Sequence, residues 1–250
     1  MRLTVVGCSG SFPGPESSAS CYLVEHEGFR LVLDLGHGSL GSLQRFAGLD
    51  TIGAVFLSHL HADHFIDLTA YYVVRRHWHG GPLPTLPVYG PASTRERLVA
   101  AYGSGVESGL EETFAFHPTA PGRLAVGPFD LTMARTAHPV ECYAVRVAAA
   151  GRSMTFTGDT GESAAVTDLA AGTDLLLAEA TFLETETNPE GLHMTGRQAA
   201  RMANVAGARL LVLTHVPPWH DPVQVRAEAE AERADQLRVE LARPGAAYDV

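Results

Sequence analysis

Ten short apolar runs constrain any fold this chain can adopt. They are "LTVVG" (3–7), "CYLVEH" (21–26), "FRLVLDLG" (29–36), "IGAVFLSH" (52–59), "LPVYG" (86–90), "FDLTMARTAH" (129–138), "CYAVRV" (142–147), "SMTFTGD" (153–159), "TDLLLAEA" (173–180) and "RLLVLTH" (209–215). Each has strand length and is bounded by Gly, Pro, Asp or Ser. Helical pattern is sparser, near 39–47, 64–76, 92–101, 162–171, 195–206 and 222–242. Thr195, with Gln198 three residues on, is a helix-start signature, and Gly207 is a stop. The early chain is hairpin-like and the later chain alternates strand and helix, which predicts a mixed sheet system covered by helices. "HGGPLPTLP" (79–87) and the stretch 103–122 read as long loops. Strands resume after them without a shift in composition, so one domain, 1–250, is expected.

With 46% hydrophobic residues among 250, the chain has ample material for a buried core. A formal charge of −10, from 18 Lys+Arg against 28 Asp+Glu, gives no general attraction to polyanions. Cys8, Cys21 and Cys142 are an odd number without CxxC spacing, so reduced, buried thiols are expected, not a disulfide framework or a thiolate zinc site. The N-terminus has no charged region followed by a long apolar stretch. No apolar run approaches the ~20 residues that span a bilayer. The expected location is the cytoplasm.

The residues just beyond the later strands carry the chemistry. "AVFLS" runs into "HLHADH", which holds His59, His61, Asp63 and His64; the next strands run into His138, Asp159, Glu179 and His215. Strand ends at a common sheet edge bring their loops to one place, where a rigid scaffold positions functional groups. His59, His61, Asp63, His64, His138, Asp159 and His215 supply five imidazoles and two carboxylates. That is too many for one tetrahedral zinc and suits two ions that share a bridging carboxylate. Nitrogen and oxygen donors without thiolates favour Zn²⁺, with Mn²⁺ or Fe²⁺ as substitutes.

With these motifs the chain resembles the metallo-β-lactamase-fold hydrolases, in particular the group similar to ribonuclease Z and its phosphodiesterase relatives. The resemblance runs through "GCSGSFPGP" (7–15), "LDLGHG" (33–38), "SHLHADH" (58–64), "YGP" (89–91), His138, "TGDTG" (157–161), "EATF" (179–182), "HMTGRQAA" (193–200) and "LTHVPP" (213–218). It implies an α/β (α+β) fold, a four-layer αββα sandwich with a dinuclear site at one edge of its two sheets. It places one metal on His59, His61 and His138 and the other on Asp63, His64 and His215, with Asp159 bridging. It also implies that Glu179 orients His193, which donates a proton to the leaving oxygen. Asp63 is a candidate to accept a hydrogen bond from the nucleophile as well as to ligate.

The expected reaction is phosphodiester hydrolysis. "GCSGS", "LSHLHADH" and "LTHVPPW" look similar to actinobacterial enzymes associated with 3′,5′-cyclic nucleotide hydrolysis, which implies a small substrate such as cAMP or cGMP. The alternatives are a ribonuclease Z-like tRNA 3′-processing endonuclease and a thioester or lactone hydrolase on the same fold. The acidic charge and the acidic "ESGLEE" (107–112), in a region with one modest helix and no basic arm, weigh against RNA. Family resemblance implies a homodimer. Trp78 and Trp219 are candidates for stacking on a base or for ordinary packing, and His37 for a contact with substrate.

Overall fold

The computed structural model describes residues 1–103, 105–106 and 109–250 and builds from them two seven-stranded sheets packed face to face. The first has the order β14 (Ala247–Asp249), β1 (Arg2–Gly7), β2 (Cys21–His26), β3 (Phe29–Leu33), β4 (Ala54–Phe56), β5 (Leu86–Gly90) and β6 (Phe114–Pro118). The second has the order β13 (Arg238–Leu241), β12 (Leu210–Thr214), β11 (Leu175–Glu179), β10 (Arg152–Phe156), β9 (Tyr143–Ala149), β8 (Phe129–Arg135) and β7 (Gly122–Val126).

Helices α1 (Ser39–Leu43), α2 (Ala62–Phe65), α3 (Leu68–Arg76), α4 (Thr94–Tyr102) and α5 (Leu110–Thr113) lie between strands of the first sheet in the chain. Helices α6 (Ala164–Leu169), α7 (Gly196–Ala206) and α8 (Pro222–Glu232) lie between strands of the second.

Strand periodicity explains why the central runs are apolar at every position. Leu31 and Leu33 of β3 enter the core between the sheets, while Val32 turns to the outer face and packs with Leu40, Leu68 and Tyr71 of the helices. In β11, Leu175 and Leu177 face the other sheet, while Leu176 and Ala178 meet Ala199, Ala203 and Val225 of α7 and α8. A strand covered on both faces needs both sets of side chains. Burying each large one stabilises the fold by about 1.5–3 kcal/mol. Three cores separated by two sheets make the αββα sandwich.

Strand direction decides where the functional loops emerge. β10, β11 and β12 are parallel, and β8 is antiparallel to β9, which is antiparallel to β10. The carboxyl ends of β8, β10, β11 and β12 therefore share one edge of the second sheet.

Four details correct the reading from sequence. The stretch 103–122 holds α5 and β6, with Phe114 buried; residues 104, 107 and 108, including the first two of "ESGLEE", lie outside the described residues. The segment 64–76 divides at residues 66–67 into α2 and α3. The helix expected over 222–242 ends at Glu232, because Arg233 turns extended, and Arg238–Leu241 pairs with β12 with Val239 buried. β7 and β14 also form where no strand was expected. Thr195 and Gln198 form the expected capping box of α7, and Gly207 ends it at φ 66°.

Candidate metal centre

The turn after β4 and the ends of β8, β10 and β12 bring all seven candidate ligands together. His59 Nε2 and His61 Nδ1 lie 3.0 Å apart, and His138 Nε2 is 3.3 Å from the same His61 nitrogen. His64 Nε2 and His215 Nε2 lie 3.0 Å apart, with Asp63 Oδ2 at 3.4 and 3.1 Å from them. Asp159 stands between the two groups. Its Oδ2 is 3.6 Å from His59 Nε2, and its Oδ1 is 3.3 Å from His64 Nε2 and 3.5 Å from His215 Nε2.

These spacings fit metal ions. Donors bound at about 2.0–2.1 Å in a tetrahedron sit about 3.3 Å from one another. Asp159 is buried and, among the described residues, its Oδ1 has no hydrogen-bond partner, a costly arrangement for a carboxylate unless a cation faces it. Nitrogen atoms that face each other at 3.0 Å likewise require a shared cation or proton.

The outward nitrogens of four rings are held. His64 Nδ1 is 2.7 Å from Asp34 Oδ2, and His59 Nδ1 is 3.1 Å from Ser58 Oγ, which donates to the same Asp34 oxygen at 2.8 Å. His215 Nδ1 is 2.8 Å from Thr181 Oγ1, which donates to Glu179 Oε2 at 2.9 Å. His138 Nδ1 donates to the Leu192 carbonyl at 3.0 Å. Such partners keep the proton on the outward nitrogen and leave the inward one a lone pair for a metal.

Two buried carboxylates therefore organise the centre. Asp34 also accepts from Ser58 N at 2.7 Å. Glu179 accepts from Thr160 N at 2.7 Å and from His193 Nδ1 at 2.9 Å. Asp34, Ser58 and Thr181 are not singled out by the sequence. The strand-end position of Asp34 in "LVLDLG" is the signal it offers.

Backbone geometry serves the same end. Asp34 and His215 have φ 59°, sparsely populated for residues other than glycine, and both turn a side chain off a strand end into the cluster. Gly36 and Gly10 permit close approach: a Cβ on Gly36 would lie 1.9 Å from the Asp63 carbonyl oxygen, and one on Gly10 would lie 2.2 Å from that of His215.

The charges are strongly coupled. Burial opposes a charged His64, but Asp159, Asp34 and Asp63 outweigh it and raise its pKa well above the usual value. Burial, reinforced by His64, drives His59 well below it. Burial favours neutral Asp159, yet His215, His64 and His59 hold it well below the carboxylate range. His193 is half-buried; Glu179 and then Asp159 overcome the effect of burial and push its pKa up to about 9. Trp78 packs against the outer core of the first sheet, whereas Trp219 is exposed. His37 is half-buried, and its Nδ1 has no hydrogen-bond partner among the described residues.

A family model described as a beta-lactamase superfamily domain matches residues 30–216, and the chain belongs to this superfamily as one of its metallo-hydrolases. An uncharacterized protein of Mycobacterium tuberculosis is 40% identical over 238 residues, spanning 93% of this chain and 86% of its own. It fits the actinobacterial resemblance. The probable metallo-hydrolase YhfI of Bacillus subtilis is 30% identical over 251 residues and 100% of each chain. In its crystal structure, where it is called a metallo-beta-lactamase fold protein, it matches with TM-score 0.88 at 28% identity over 99% of each chain. A ribonuclease Z of Myxococcus xanthus is 29% identical over 299 residues, 98% of this chain and 96% of its own.

Proposed function

We propose that the chain is a single-domain, dinuclear-metal phosphodiesterase that hydrolyses 3′,5′-cyclic nucleotides to 5′-monophosphates. The observation that carries this reading is the His193–Glu179 pair, 2.9 Å apart, with His193 Nδ1 3.9 Å from the Asp159 oxygen that lies between the two ligand groups. A protonated imidazole beside a metal-binding cluster suits reactions that expel an alkoxide.

His59, His61 and His138 would hold one ion, and Asp63, His64 and His215 the other, with Asp159 shared. Two divalent ions held there, Zn²⁺ or in its place Mn²⁺ or Fe²⁺, would supply a nucleophile from water at neutral pH and would draw charge from the phosphoryl oxygens. Asp63, held by His215 and His64, accepts a hydrogen bond from the attacking water and orients it. His193, with Nδ1 held by Glu179, presents Nε2 to the leaving O3′ and donates its proton as the P–O3′ bond breaks. Buried Asp34 and Glu179 keep the surrounding rings in position during the step.

A small substrate agrees with the charge of −10. The described residues from Thr94 to Arg135 pack mainly as α4, α5, β6, β7 and β8, close to the two sheets. The second reading is an RNA endonuclease, favoured by the likeness to the Myxococcus ribonuclease Z. No helix among the described residues is long and apolar enough to cross a membrane. A cytoplasmic location accords with the unpaired thiols of Cys8, Cys21 and Cys142. The reading includes a homodimer, which light scattering tests.

The deciding experiment is turnover of cAMP and cGMP by protein loaded with Zn²⁺ or Mn²⁺, beside a 3′-extended precursor tRNA. Metal-dependent 5′-monophosphate formation with the tRNA intact is expected. Cleavage of the tRNA alone would replace this reading with the second.

A further inference from the structure

Outside the candidate metal centre, Phe12 and Trp219 are two exposed aromatic rings in contact with each other. Trp219 is 63% exposed and Phe12 39%, and their ring centroids lie 4.9 Å apart at 37°. Large rings normally bury 150–250 Å² in cores and interfaces, so this partly exposed, tilted pair leaves aromatic surface free for a ligand.

The segments that carry the pair meet beside candidate ligand His215, where a Cβ on Gly10 would lie 2.2 Å from the His215 carbonyl oxygen. Ser9 bridges to Val216, and Gly10 N donates to the Val216 carbonyl at 3.2 Å, joining the segment that carries Phe12 to the one beyond His215. A Cβ on Gly14 would lie 3.1 Å from Pro218 Cγ, so the two segments remain in contact further out. Ser11 adopts φ 63°, a strained conformation immediately before Phe12. His220, next to Trp219, donates from Nδ1 to the Thr181 carbonyl at 2.9 Å, which ties this turn to the segment that leaves Glu179. Pro13, Pro217 and Pro218 stiffen both approaches. Trp219 lies four residues beyond candidate ligand His215, within a reach of about 14 Å at the ~3.5 Å per residue of an extended chain.

We propose that Phe12 and Trp219 form the platform on which the nucleobase stacks while the phosphodiester lies at the metal centre. This rests on the cyclic-nucleotide reading and adds the residues that hold the base. Every nucleobase has a π-face, so a stacking platform binds purines and pyrimidines with little discrimination. Neither ring touches the reacting atoms, and their effect falls on binding.

Steady-state kinetics on Trp219→Ala, Trp219→Phe and Phe12→Ala test it, with cAMP beside an abasic ribose 3′,5′-cyclic phosphate. Trp219→Ala is expected to raise the KM for cAMP roughly 5- to 150-fold, the range typical of one lost stacking contact. kcat and metal content should hold, and Trp219→Phe should recover most of the loss. The KM ratio between variant and wild type should stay near one for the abasic compound. An equal rise for both substrates, or no rise for cAMP, overturns the platform. In a Trp78→Phe protein, Trp219 is the sole tryptophan, and 5′-AMP should quench its fluorescence saturably while ribose 5-phosphate does not. If wild type turns over neither cAMP nor cGMP yet cleaves bis(4-nitrophenyl) phosphate, the cyclic-nucleotide reading itself fails, and the platform assignment with it.

Discussion

Asp34→Asn isolates what one buried carboxylate does for the metal centre. Asparagine keeps the shape and tolerates the φ of 59°, so the backbone remains in place. The hydrogen bonds do not. Asp34 Oδ1 accepts from Ser58 N at 2.7 Å, while Oδ2 accepts from Ser58 Oγ at 2.8 Å and His64 Nδ1 at 2.7 Å. An amide has one oxygen. With its NH2 toward Ser58 N, two buried donors face each other, at a cost of about 1–3 kcal/mol. With its NH2 toward His64, the ring must move its proton to Nε2, which then points into the cluster and no longer offers a lone pair. Either orientation weakens the group formed by Asp63, His64 and His215. Loss of such an orienting partner typically reduces metal affinity 10–100-fold, or about 1.4–2.8 kcal/mol. Competition for Zn²⁺ against a chromophoric chelator, with metal counted per chain after dialysis, measures it. Wild-type affinity in a correctly folded variant would refute the orienting role, whatever the change in melting temperature.

His193→Ala should retain its metals and lose roughly 10²–10⁴ in kcat, the usual contribution of a positioned acid; full turnover would remove it from the mechanism. Asp159→Ala should lose metal and activity together, because its two oxygens face different ligand groups; elemental analysis beside turnover checks this. Glu179→Gln removes the carboxylate that first opposes burial in raising His193 to about 9. In wild type the ring keeps its proton up to that pH, so the alkaline limb of kcat should move to lower pH in the variant, and an unmoved limb would contradict the pairing. By the same linkage, the stability that the pair contributes is fully present below about pH 6.5 and is lost as pH rises through about 9.

The fold was legible where burial is two-sided. In β11 and β12 every residue is buried, and length with flanking polar residues sufficed to find them. Edge strands lacked that signal: β7 is mostly exposed and β14 has three residues. Arg238–Leu241 hid in a helix-forming stretch, and the hydrogen bonds offered by β12 override its propensity. The candidate ligands were legible because a strand end followed by His or Asp is an uncommon pattern. Their partners were not. Ser58, Thr181 and the Leu192 carbonyl act through positions that only the folded chain creates, and serine, threonine or a backbone carbonyl in a loop carries no distinguishing composition.

The distribution of these residues along the chain also sets an order of events during synthesis. Asp34, Ser58, His59, His61, Asp63 and His64 are made early, whereas His215 comes 156 residues after His59. At about 5–20 residues per second that interval is roughly 8–30 s. Throughout it the nascent chain can present three imidazoles to free cations, with Asp34 and Ser58 already synthesised and able to orient two of them. Neither Asp159 nor His215 exists at the start of that interval, and only when β12 docks can both ligand groups be complete. Completion of both candidate ligand groups therefore waits on the docking of β12, the last strand to deliver one of the seven residues.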